Sequence, residues 1–242
     1  MRSIGRTFTV AFVAMSPWLA GAALAADGEI LIDQQRALNG AITPGDEPGF
    51  PITISRSGRY KLVGSLAVPG SKDGFEITAN GVTLDLNGYE VTGTDGKRGI
   101  NSPLDAKGQP TSKRLTVMNG RIAGFNVAIL TGDYAIVDNM RASGDGNNPI
   151  QVGDASRLSN STLGKIKCGV ACLVQGNSMG SVTMSGGTVL GNFMYGALGT
   201  VISGSTNGPV GYANNTIQSS EKTKFGENVH PMSPNCIGPK CE

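Results

Sequence analysis

"LTVMNGRIAG", residues 115–124, reads as a short strand, a sharp corner and a second strand. Related phrases recur along the chain: "LDLNGYEVTG" (84–93), "AIVDNMRASG" (135–144), "SRLSNSTLGK" (156–165), "VTMSGGTVLG" (182–191) and "VGYANNTIQS" (210–219). Aligned on the corner, they place Gly88, Asn119, Asn139, Asn160, Gly186 and Asn214 in one column. Two residues earlier stand Leu86, Val117, Val137, Leu158, Met184 and Tyr212; three residues later stand Val91, Ile122, Ala142, Leu163, Val189 and Ile217. Apolar positions on both sides of a Gly or Asn corner fit strands that bury one face and turn through a left-handed residue.

The corners follow one another at steps of 31, 20, 21, 26 and 28 residues. Steps near 20 suit stacked coils of short parallel strands, in which equivalent residues lie about 4.8 Å apart and apolar columns merge into one core. Asn at the corner can then form an amide ladder between neighbouring coils. Longer steps imply inserted loops, and the 31-residue step holds the polar stretch "TDGKRGINSPLDAKGQPTS" (94–112). A second phrase, "AILTGD" (128–133), "PIQVGD" (149–154) and "CLVQGN" (172–177), ends each time in Gly followed by Asp or Asn. Asx turns account for Asp133 and Asp154 better than calcium ligation, which needs several converging oxygens.

The expected fold is all-β, a right-handed parallel β-helix with a short N-terminal capping helix. A β-sandwich would need hairpin dipeptides between alternating strands, and a leucine-rich solenoid would need more leucines. The division expected is 1–25 signal peptide, 26–50 N-terminal capping segment, 51–228 parallel β-helix and 229–242 Cys/Pro-rich tail. Capping falls to "EILIDQQRALNGAI" (29–42), where Ile30, Ala37, Leu38 and Ala41 have roughly helical spacing. The tail "HPMSPNCIGPKCE" is too rich in proline to form another coil.

Arg2 and Arg6, the apolar run to Leu24 and the small-x-small site Ala23-Leu24-Ala25 read as an export signal. Its removal takes two of 20 basic residues and none of the 18 acidic ones, leaving no net charge. That balance excludes a nucleic-acid partner, which needs a basic footprint, and no later stretch is apolar enough to span a membrane. Localisation is then secreted or periplasmic, including the cell surface. In such an oxidising compartment Cys168, Cys172, Cys236 and Cys241 are expected in disulfides, with all three pairings open. No metal site is expected, since the only histidine is His230 and no CxxC is present.

The run "TPGDEPGFPITISRSGRYKLVGSLAVP" (43–69) followed by "FEITANGVTLDLNGYEVTG" (75–93) resembles the opening of secreted bacterial right-handed parallel β-helix repeat proteins of the pectate-lyase-like superfamily, an uncharacterised subgroup. The resemblance covers most of the chain after the signal. It implies the fold and leaves the activity open, because relatives of this kind include lyases, hydrolases and epimerases. The NTD, DD and GHG motifs of polygalacturonases and the DPHD motif of alginate epimerases are missing here.

Chemistry is sought in the column two residues after the corner: Glu90, Arg121, Arg141, Thr162, Thr188 and Thr216. Stacked Arg121 and Arg141 favour a carboxylate between or beside them, as in an acidic sugar. They are also the candidate catalytic residues of the alternative reading, a polysaccharide lyase acting by β-elimination on uronate-containing glycans, which would bring calcium as a cofactor. The simpler expectation is cross-strand ion pairing, Glu90 with Arg121 and Asp138 with Arg141. Tyr195, with Phe193 nearby, is a candidate sugar platform, although aromatic rings in such a fold are expected to pack inside or close a turn. The functional expectation is a non-catalytic module, glycan-binding or structural, with Glu90, Arg121, Arg141 and Tyr195 as its substrate-binding candidates and no cofactor.

Overall fold

Alternation along each short strand decides which side chains go inward. In Thr162–Cys168, for example, Leu163, Ile166 and Cys168 are buried, whereas Thr162, Lys165 and Lys167 face solvent. The computed structural model describes residues 28–144, 149–195, 200–204, 208–218, 224–226, 228–232 and 236–237, so the expected export signal lies outside them. The described chain is nearly all β, and every pairing between its named strands is parallel.

These pairings form three ladders, visited in a fixed order. The first ladder aligns Tyr60, Leu84, Val117, Val137, Leu158, Val174, Val189 and Tyr212. In the second, Leu66, Val91, Ile122, Ala142, Leu163, Met179, Met194 and Ile217 stand in register. The third carries Ile52, Phe75, Ile100, Ile129, Ile150, Ile166, Val182 and Ile202. All of these side chains are buried and belong to one continuous core. Thr116–Leu130, which contains all but the first residue of the phrase quoted first, contributes to all three ladders in succession. A single circuit has no interior of its own, so burial depends on the circuits above and below.

The corner between the first and second ladders is left-handed, with φ of 58° at Asn119, 49° at Asn139, 52° at Asn160 and 54° at Asn214. Two expected corners need correction. Gly186 lies between the third ladder, ending at Met184, and the first, resuming at Gly187, so "VTMSGGTVLG" straddles a different bend. The missing corners are Gly176 and Gly191, with φ of 65° and 58°. Residues 160–214 therefore hold three circuits, of 16, 15 and 23 residues, where the repeat suggested two with loops. Gly88 does belong to the first corner, but Leu84, rather than Leu86, pairs with Val117, and Asn87-Gly88 widens the bend.

A buried amide ladder stands one residue past the corner. The Asn177 side-chain amide donates to Asn192 Oδ1 at 3.1 Å, and that of Asn192 donates to Asn215 Oδ1 at 3.0 Å. All three are buried, and each also donates to a strand carbonyl. Asn177 is thus a corner residue of the first ladder, unlike Asp133 and Asp154, with which the "CLVQGN" phrase grouped it. The corner asparagines themselves form a shorter run, Asn139 exposed and Asn119 half-buried: Asn139 donates to Asn119 at 3.0 Å, and Asn119 to Asp85 at 3.1 Å.

The starting edge is closed largely by side chains. Asp46 accepts from the Thr53 N–H, Thr43 donates to the Thr53 carbonyl and accepts from Ser55, and Gln34 makes both bonds to Ala67. Gln34–Asn39 is a six-residue helix, α1, capped by the Asp33 side chain. It is shorter than the stretch 29–42: Ile30 lies instead in the strand Glu29–Ile32, paired with Tyr60, and Leu38 is exposed. Alternation and β-branching in "EILI" favour strand over helix there.

At the other end the expected tail is partly strand. Val229–Pro231 pairs with the first ladder and Cys236–Ile237 with the second, so pairing continues past residue 228. Proline is tolerated there because an edge strand need not donate on its outer side. Cys168 and Cys172 are disulfide-bonded, with Cα atoms 6.4 Å apart, across the turn from the third ladder to the first. The bonding of the Cys236 side chain and the whole of Cys241 lie outside the described residues.

Truncating Asn192 to Ala orphans the Asn177 backbone N–H and takes a donor from both the Val174 carbonyl and Asn215 Oδ1, and should cost about 3 kcal/mol. Asn139→Gly keeps the left-handed corner and loses one exposed bond, so it should cost about 1 kcal/mol or less. Urea unfolding of the two variants checks the ordering.

Candidate functional site

Strands of the second ladder present their alternate residues to solvent, and the register stacks Glu90, Arg121, Arg141 and Thr162 on successive circuits. Beside them run the corner residues Asn87, Gly88, Asn119, Asn139 and Asn160, and together these line a groove of about 680 Å³. Gly120, also in its lining, keeps the corner close, because a Cβ there would lie 2.7 Å from the Tyr89 carbonyl oxygen.

The two arginines differ in their surroundings. Arg121 Nη1 lies 3.0 Å from Glu90 Oε1, and the Arg121 side chain is 57% exposed. An open pair of this kind adds little stability, about 0–1 kcal/mol. The expected pairing of Asp138 with Arg141 is not made. Asp138 instead accepts from the Ser159 hydroxyl at 2.7 Å and the Asn160 amide at 2.9 Å. Among the described residues, the Arg141 side chain has neither an ion-pair nor a hydrogen-bond partner.

Past Thr162 the outward column continues through Ser178, Phe193 and Thr216. Thr188 is absent from it, because Thr188 pairs with Leu173 on the first ladder. Phe193 is the residue that the repeat alignment missed, since the two short circuits before it were not separated. Phe193 and Tyr195 flank the buried Met194 and both turn outward, 42% and 45% exposed, contrary to the expectation of inward packing. The Tyr195 hydroxyl donates to the Leu163 carbonyl at 2.9 Å, and partial burial raises its pKa.

A second groove, of about 770 Å³, lies over the third ladder and is partly walled by residues 104–113. The strand Glu90–Asn101 takes up much of the expected 94–112 loop, and the remainder folds back through an antiparallel bridge between Leu104 and Pro110. Arg121 and Arg141 are not among the residues of this groove. Asp133 and Asp154 are. Asp133 Oδ1 accepts from the Asp154 N–H at 3.0 Å, and Asp154 Oδ1 from the Val170 N–H at 2.7 Å, so each carboxylate holds the next circuit. Among the described residues, no three His, Cys, Asp or Glu side chains converge in a metal-holding group.

Lys113 Nζ lies 2.7 Å from Asp133 Oδ2. This hydrogen bond, aided by the Asp154 N–H and opposed by burial, holds the Asp133 carboxyl below its ordinary value; the same bond raises the Lys113 pKa.

None of the family descriptions, curated proteins or solved structures compared with the chain matches it. No helix among the described residues is long and apolar enough to cross a membrane.

The lowered Asp133 pKa makes its contribution to stability complete above the unfolded value and lost as pH falls through the folded one. The raised Lys113 pKa adds stability that persists through neutral pH and is lost only in strong alkali. Asp133→Asn should therefore flatten the acid limb of stability below about pH 4. Urea midpoints measured across pH 2.5–6 check this, with equal acid limbs counting against it.

Proposed function

We propose that the three ladders are the faces of a right-handed parallel β-helix, and that the protein is an exported, non-catalytic module that binds acidic glycan at the groove beside Arg121 and Arg141. The observation that carries the reading is the Arg141 guanidinium: charged, set in an open polar groove, and without a partner among the described residues. A planar fork of N–H donors matches the two oxygens of a carboxylate, the acidic group of a uronate sugar. The neighbouring amides of Asn139 and Asn160 and the hydroxyl of Thr162 suit the hydroxyls of the same ligand.

Right-handedness follows from the strong chirality of parallel crossovers between right-twisted strands. The Cys168–Cys172 disulfide agrees with an oxidising compartment such as the periplasm or cell exterior. Binding, rather than lyase chemistry, suits these arginines because arginine keeps its proton in proteins and makes a poor base in an open groove. Glu90 already neutralises Arg121, so Arg141 supplies the principal charge for the ligand.

Calorimetric titration with polygalacturonate, alginate and glycosaminoglycans tests the reading. The protein should bind at least one acidic polymer, more weakly as salt rises, and ignore neutral polymers. Arg141→Ala should weaken binding roughly tenfold to a hundredfold, and Arg141→Lys less, since it keeps charge without the fork. Unchanged affinity in Arg141→Ala refutes the site. A rise in ultraviolet absorbance from unsaturated sugar, in the presence or absence of calcium, refutes the non-catalytic reading in favour of a lyase.

A further inference from the structure

Phe193 and Arg141 occupy one outward column. Phe193 is in register with Ser178, Ser178 with Thr162, and Thr162 with Arg141. Three ladder steps separate them, roughly 14 Å at about 4.8 Å per step. The interval carries only the two hydroxyl side chains, so nothing bulky in the column stands between the guanidinium and the phenyl ring.

Tyr195 widens the far end of this strip. Its N–H donates to the Met179 carbonyl, which places it beside Gly180, and its hydroxyl reaches back to the Leu163 carbonyl across two steps of the ladder. On the two earlier circuits the positions that precede it are Gly180 and Gly164, which carry no side chain, and a Cβ built on Gly180 would have the Gly164 carbonyl as its nearest neighbour, at 3.6 Å. The ring is thereby tethered at both ends and still 45% exposed. Lys165, which follows Gly164 in the chain, is exposed and has no ion-pair partner among the described residues. Aromatic rings that remain half exposed keep an apolar face for a ligand that is apolar on one side and polar on the other.

Resting on the glycan-binding reading above, we infer that the ligand lies lengthwise along the second ladder. Its carboxylate sits on Arg141, its hydroxyls meet Thr162 and Ser178, and the C–H face of a further sugar ring stacks on Phe193 and Tyr195. The preferred ligand is then an acidic oligosaccharide several units long. A single uronate or a dimer would reach Arg141 and leave the aromatic end empty.

The test is titration of the full-length protein with uronate monomers, dimers and longer oligomers, using the acidic sugar that binds wild type best. Affinity should rise at least roughly tenfold between dimer and long oligomer, the scale of one aromatic stacking contact in a partly desolvated site. Phe193→Ser, which installs the residue found one circuit earlier, and Tyr195→Gly, which does the same for its column, should remove that gain and leave dimer affinity unchanged. Arg141→Ala should weaken dimer and oligomer alike. Thermal unfolding of each variant establishes that it is folded, and Phe193→Leu, which keeps bulk without the aromatic face, should lose the gain as well. Oligomer affinity that is independent of length, or unchanged in both aromatic variants, overturns the lengthwise placement while leaving the Arg141 site standing. Failure of every acidic oligomer to bind wild type overturns both.

Discussion

In-register return is the constraint on which this structure rests. Each circuit must bring an apolar residue back over the apolar residue of the previous one, as Leu84, Val117, Val137 and Leu158 do. A slip of one residue would send a whole strand's apolar set to solvent. Register is held where the chain bends, because a left-handed corner has little freedom in length. Asn119, Asn139 and Asn160 hold that bend with their own backbones, and the buried Asn177, Asn192 and Asn215 hold it by bonding from circuit to circuit.

The same economy of backbone hydrogen bonds governs the ends and the bends. The first strands would expose unpaired N–H and C=O groups, and Asp46, Thr43 and Gln34 occupy several of them with side-chain oxygens and amides. Asp133 and Asp154 do likewise between the third and first ladders. What looks like a set of scattered acidic and amide residues is therefore largely a set of backbone partners. This is why a carboxylate at such a bend is poor evidence for a metal or for catalysis.

Against that background the second ladder's outer face carries side chains that the fold does not use. Its acidic residue, Glu90, is already engaged with Arg121, while Arg141 has no ion-pair partner among the described residues and two aromatic rings turn outward. Side chains that a fold does not use for its own bonding are the ones free to meet a ligand. Of the candidates legible in the residues, Glu90, Arg121 and Arg141 do fall together, because each stands two residues past its corner and the strands leaving those corners pair in register, however long the circuit between. Tyr195 stands apart from their groove, at the far end of the same face, and Phe193 enters the column in place of Thr188.

Sequence alone was enough for the strand-corner-strand unit, the left-handed Asn119, Asn139, Asn160 and Asn214, the apolar residues that flank them and the stacking of Arg121 on Arg141. All of these follow from local stereochemistry and from repetition at short range. The number of circuits between 160 and 214, the switch of Gly186 to another bend, the choice of Cys172 as partner for Cys168 and the outward turn of Phe193 required the folded chain. Each depends on which circuit lies against which, and two short circuits of 16 and 15 residues spell much the same pattern as one circuit with a loop. Only hydrogen bonding between circuits tells the two apart, because register is a property of neighbours in space and not of neighbours along the chain.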